Sequence, residues 1–140
     1  MATFLEEYDY LIKGGHVVAG YWIQKQVDNM IRDMQDGRFV YDTTEAHKRI
    51  RFMQTLCLQS KHPYFGKPVE LMPWQLAFFE GLYAFKMADT GLRRYVEALL
   101  EIARKNGKST MLAADGNTDL FIGTGGSEIC CASNDDKQCK

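Results

Sequence analysis

Apolar residues recur every three or four positions through the first two-thirds of the chain, which predicts helices there. Ile23, Val27, Met30, Ile31 and Met34 place an amphipathic helix from Trp22 to Gln35, stopped near Gly37. Asp42 with Glu45 three residues on resembles a capping box, although Asp replaces the usual Ser or Thr. Behind it Ala46, Ile50, Met53 and Cys57 form one stripe of a helix running to about Ser60. His62-Pro63 and Gly66-Lys67-Pro68 are turn signals. Pro73 suits a first helical position, and the helix it opens, to about Met87, is apolar on most faces, so it belongs in an interior. Asp89-Thr90-Gly91 ends it.

From residue 95 to 102 the period alone does not decide. Val96, Leu99, Leu100 and Ala103 fit a helix, whereas Val96, Ala98, Leu100 and Ile102 alternate as a strand does. A short apolar segment, Met111 to Ala114, runs into Asp115-Gly116-Asn117-Thr118-Asp119, a poor helical sequence. A Gly-rich turn at 123–126 precedes a second expected strand, Glu128 to Ala132.

Charge narrows the function classes. Seventeen Lys and Arg against eighteen Asp and Glu leave a net charge of −1, so a chain-wide basic coat for nucleic acid is absent. A basic concentration does occur at 93–108, where Arg93, Arg94, Arg104, Lys105 and Lys108 face only Glu97 and Glu101, a patch suited to an anion. No run reaches the roughly 18 apolar residues of a membrane helix. The opening MATFLEEYDY lacks the basic end and apolar stretch of an export signal. Cys57, Cys130, Cys131 and Cys139 make no C-x-x-C pair, and His16, His47 and His62 are scattered. The cysteines read as reduced thiols rather than zinc ligands.

Within the basic patch stands Gly107-Lys108-Ser109, the end of a phosphate-binding P-loop. That chemistry needs a tight turn whose backbone N–H groups face phosphate at a helix N-terminus, a Lys for the β- and γ-phosphates, and a hydroxyl for magnesium. The first glycine of the full pattern falls on Ile102, so the string also reads as a solvated basic turn. A P-loop must follow a strand and open a helix, which favours strand over helix at 95–102.

Four strings, HVVAGYW (16–22), FGKPVELMPWQ (65–75), ARKNGKST (103–110) and ICCASNDDKQ (129–138), make the chain resemble the large terminase subunit of tailed double-stranded DNA phages. That family packages DNA into procapsids with a P-loop ATPase domain followed by a ribonuclease-H-type nuclease. Its P-loop commonly carries an Arg-Lys-Asn run and lacks the first glycine, as here.

The resemblance implies roles for particular residues. Lys108 matches the phosphate-binding lysine, Ser109 the magnesium-linked hydroxyl, and Arg104 an arginine near the γ-phosphate; Arg104 and Lys108 would be the catalytic pair. Lys105, Asn106, Gly107 and Thr110 complete the loop around ATP. Gln75 falls on the glutamine of an adenine-recognition motif, since an amide both donates and accepts. Trp74 beside it either stacks on the base or is a core aromatic. ATP and Mg²⁺ are the implied ligands. Double-stranded DNA, a small terminase subunit and a portal protein are the implied partners of the full-length protein, in the host cytoplasm and without a membrane.

The expected architecture is α/β: a helical region over 1–92, then the first strand, P-loop, helix and second strand of a truncated parallel sheet over 93–140. The catalytic acid, the coupling motif and the nuclease are expected beyond Lys140, with Asp135 and Asp136 as solvated loop acids. Such a chain would bind ATP weakly and hydrolyse it poorly. A helicase-like P-loop motor and a non-catalytic helical interaction module are the alternatives.

Overall fold

Thr3 Oγ1 accepts from the Glu6 N–H (3.2 Å) while the Glu6 carboxylate accepts from the Thr3 N–H (2.8 Å). This capping box opens α1, Phe4–Lys13. The hydrophobic pattern bounds no helix here; Thr3-x-x-Glu6 is the signal that identifies it. The computed structural model describes residues 2–123, 125–126 and 128–130.

The amphipathic segment after Gly20 forms α2, Tyr21–Asp33, with Val27 buried and Met30, Ile31 and Met34 half-buried. A short strand, β1 (Phe39–Tyr41), leads to α3, Thr44–Leu56. The Asp42 carboxylate accepts from the Thr44 N–H (3.0 Å) and from Lys86 Nζ (2.9 Å). These bonds hold its pKa well below the ordinary carboxylate value. Asp42 is thus an Asx-type turn acceptor ahead of the helix, not the cap of a box closed by Glu45, which pairs instead with Arg49. The stripe Ala46, Ile50, Met53 and Cys57 is buried throughout. α3 ends four residues before Ser60 because the chain turns into a hairpin-like loop bridged at Leu58 and Pro68.

α4, Pro73–Ala84, ends three residues before Met87. Phe85–Met87 is β2, antiparallel to β1 with Phe39, Val40 and Tyr41 opposite Met87, Lys86 and Phe85. An apolar run continues a helix or a strand equally well, and pairing with β1 decides it. α4 stands between two apolar groups. Phe79, Tyr83 and Ala84 join Ile50, Met53, Met111 and Ala114 on one side. Ala77, with Phe85 just past its end, joins Leu5, Tyr8 and Val27 on the other. A helix apolar on most faces is accounted for by this position.

The mixture of helix and sheet is therefore real, but the parallel sheet is not seen. Among the described residues the sheet consists of β1 and β2 alone, antiparallel. Residues 95–102 are irregular, with a bend at Val96 and no strand pairing among the described residues, and Val96 is 79% and Leu99 92% exposed. A strand exists only through the ladder of a neighbour, and among the described residues none pairs with this segment. Of the second expected strand, Glu128, Ile129 and Cys130 are irregular, and Cys131 and Ala132 lie outside the described residues, as do Asp135, Asp136 and Cys139. Among the described residues no helix is long and apolar enough to cross a membrane.

α5, Lys108–Ile122, runs unbroken through 115–119, against the expectation of a poor helix. Asp115, Thr118 and Asp119 each have a tertiary or local partner. The Tyr83 hydroxyl donates to Asp115 (3.0 Å), the Arg49 guanidinium donates to Asp119, and buried Thr118 donates to the Ala114 carbonyl (2.7 Å). Propensity costs of a few tenths of a kcal/mol per residue are outweighed by such contacts.

Candidate functional site

The loop before α5 contains two left-handed residues, Lys105 (φ 69°) and Gly107 (φ 77°). The Asn106 side-chain amide donates to the Ala103 carbonyl (3.3 Å), closing the turn. Gly107 is the N-cap of α5, and its carbonyl accepts from the Met111 N–H (2.9 Å). A residue with Cβ is strained in that conformation, which is why glycine stands there.

Lys108, Ser109 and Thr110 are the first three helical residues. Their backbone N–H groups lie in the turn that lacks intrahelical acceptors, and that turn carries no acidic residue. With the helix dipole behind them they favour an anion, and the exposed Lys108 adds a mobile positive charge. Arg104 and Lys105 are also exposed on the loop. The Ser109 hydroxyl is exposed in the same first turn and can supply one oxygen ligand to a magnesium ion, whose other positions would be filled by phosphate oxygens and water.

Gln75 comes to this loop from α4. Its backbone N–H donates to the Met72 carbonyl (2.8 Å), and its side-chain oxygen accepts from the Met72 N–H (2.8 Å). The side-chain nitrogen is left facing the loop, 3.5 Å from where a Cβ on Gly107 would stand. Gln75 and Gly107, 32 positions apart in sequence, thus meet at one place. Trp74 does not share that orientation. It is half-buried against both apolar groups and helps line a cavity of about 550 Å³ between α1, α2, α4 and the irregular segment 95–102. Its position is that of a core aromatic.

The helix that carries Lys108 is gripped further along by charge. Arg49, on α3, reaches Glu45 (2.8 Å) and Asp119, and its guanidinium lies 4.3 Å from the centre of the Tyr83 ring. Arg93 approaches the same ring, at 5.4 Å. The pattern reading missed this cluster; its trace in the sequence is the Asp115/Asp119 pair, four residues apart and so on one helix face.

Burial raises the Asp115 pKa, and the nearby Asp119 charge acts in the same direction, against the opposing pull of the Tyr83 hydroxyl and of Arg49 and Arg93. The folded chain therefore binds this proton more tightly than the unfolded chain, whose carboxyl titrates near 3.9. Between that value and the raised folded one, protonation adds stability as pH falls. Asp115→Asn, which lacks the titration, is expected to be at least as stable as the wild type at pH 7.5. The wild type should gain on it as pH drops toward 4.5. Thermal melting of both chains at the two pH values checks this, and a gap that widens in favour of Asn on acidification contradicts it.

No family model, curated protein or solved structure matches the chain.

Proposed function

We propose that this chain supplies the ATP-binding part of a DNA-packaging motor of the large-terminase kind. The observation that carries the reading is the meeting of Gln75 with Gly107 at the start of α5. Two strings, each suited by its own chemistry to part of a nucleotide, lie together although nothing local in the sequence requires it.

Lys108 and the N–H groups of the first turn bind the β- and γ-phosphates of ATP. Asn106 and Gly107 set the turn, with Lys105 and Thr110 beside the phosphates. Arg104 stands where charge on the γ-phosphate develops during transfer. Ser109 holds Mg²⁺, which neutralises phosphate charge when bound. Gln75 faces the base. The full-length protein would couple hydrolysis to movement of double-stranded DNA in the host cytoplasm, with a small terminase subunit and a portal protein as partners.

Titration of the purified chain with a fluorescent ATP analogue and magnesium tests the nucleotide site. Lys108→Ala removes one charge-assisted contact to phosphate, so affinity should fall about tenfold to a hundredfold. Its melting temperature should not change, because Lys108 is exposed. A folded wild-type chain that binds no nucleotide would overturn the reading in favour of a helical interaction module. A helicase-like motor predicts the same binding but no support of procapsid filling by the full-length protein.

A further inference from the structure

We infer that the hairpin-like loop between α3 and α4 binds single-stranded nucleic acid, its aromatic rings stacking on unpaired bases and its lysines meeting the phosphates. The loop shares no residue with the nucleotide site proposed above, and neither site depends on the other.

The base of the loop is firmly held. The Val69 N–H donates to the Cys57 carbonyl (2.9 Å), and both residues are buried. The Gln59 N–H donates to the Lys67 carbonyl (2.8 Å), and the Gly66 N–H to the Gln59 carbonyl (2.9 Å). Nearer the tip, the Tyr64 N–H donates to the Lys61 carbonyl (3.1 Å) and the Lys67 N–H to the Tyr64 carbonyl (3.0 Å). A loop already ordered by its own backbone gives up little further freedom on binding.

This frame carries large side chains into solvent. Residues 60–68 are all exposed, with Tyr64 at 59% and Phe65 at 65%, so neither ring serves the core. The His62 and Phe65 rings stack at 5.7 Å between centres and 27° between planes, and each keeps its outer face open. Lys67 Nζ lies 5.8 Å from the centre of the Tyr64 ring, and Lys61 precedes the rings. No Asp or Glu stands between Glu45 and Glu70, so no acid on this stretch of chain offsets the lysines.

Rings interleaved with cations are the chemistry that an unpaired strand requires: every base offers a π-face and every phosphate a charge. A duplex keeps its base faces in its own stack and would leave these rings without a function. A lipid surface calls for a contiguous apolar face, and no Leu, Ile, Val or Met stands between Leu58 and Val69.

Fluorescence anisotropy of a short labelled oligothymidylate, titrated with the purified chain over a range of salt, tests this. Tyr64→Ala and Phe65→Ala should each weaken binding about fivefold to a hundredfold, the loss of one base stacked on a ring. Lys61→Gln combined with Lys67→Gln should flatten the slope of log K against log salt by about 1.4, two phosphates at about 0.7 each. All four side chains are exposed, so the variants should melt with the wild type and bind a fluorescent ATP analogue as it does. A folded wild type that leaves the oligothymidylate unbound would overturn the inference. Binding unchanged in both ring variants would overturn it too, because attraction of phosphate alone would then suffice. Binding lost in Lys108→Ala but kept in the ring variants would place the strand on the loop before α5 instead. Phosphatidylserine vesicles held through the same rings, with the oligothymidylate ignored, would assign the loop to a lipid surface.

Discussion

Glu80→Ala is expected to destabilise the chain by about 3–5 kcal/mol, the cost of breaking a buried ionic network by removing one partner. The Glu80 side chain is on α4 and 0% exposed. Its two oxygens accept from the Phe4 N–H (3.2 Å), the Leu5 N–H (2.8 Å), the Tyr41 hydroxyl (2.6 Å) and His47 Nε2. One carboxylate therefore caps the first turn of α1 from another helix and ties β1 and α3 to the same point. Burial together with Glu80 pushes the Tyr41 hydroxyl pKa far upward, so it stays a donor. Alanine leaves the Leu5 N–H buried without an acceptor and removes the shared partner of the part-buried Phe4 N–H, Tyr41 hydroxyl and His47, and a buried donor left unmade costs about 1–3 kcal/mol before relaxation. A small domain holds about 5–15 kcal/mol in all. Glu80→Gln, which keeps one oxygen, should lose about half as much as alanine. Urea unfolding of the three chains measures this, and an alanine variant within about 1 kcal/mol of wild type would show that water replaces the carboxylate.

Arg49→Ala is expected to cost about 2–4 kcal/mol and to loosen α5 beyond Ala114. Its side chain is 7% exposed and joins Glu45 on its own helix to Asp119 on α5. Charge-assisted hydrogen bonds contribute about 1.5–3 kcal/mol, and the stacking on Tyr83 about 0.5–2 kcal/mol where it is desolvated. Without Arg49, Asp115 and Asp119 face each other's charge on a stretch of low helix propensity. Arg49→Lys keeps the charge and loses the planar fork, so it should fall between. Hydrogen exchange at residues 115–122 is the measurement. Protection there that survives in Arg49→Ala would mean that α5 stands on its own propensity and apolar packing.

The two anchors separate what is readable along the chain from what is not. The helical stripes were legible because their period is local: Ala46, Ile50, Met53 and Cys57 share a face by geometry alone, and that face is buried. The placement of α4 in the interior was legible for the same reason, since a helix apolar on most faces has nowhere else to go. The turn at 104–107 was legible through its glycine and the chemistry of Lys108 and Ser109.

The rest was settled by partners distant in sequence. Val96, Ala98, Leu100 and Ile102 alternate like a strand, yet among the described residues nothing pairs with them, because alternation selects a face and only a neighbouring strand supplies the ladder. Phe85–Met87 became a strand because β1 lies beside it, although its sequence continues a helix. Asp115 to Asp119 reads as a helix breaker and is helical, because Tyr83 and Arg49 satisfy its carboxylates from two other helices. Glu80 looks like an ordinary charge on an apolar helix and is the buried cap of α1. The sequence by itself determined which faces turn inward and where the turn ahead of α5 falls. Only the tertiary structure decided that Gln75 lies against Gly107 and which atom of its amide faces the loop, because both follow from how α4 packs and where the Met72 N–H finds its acceptor.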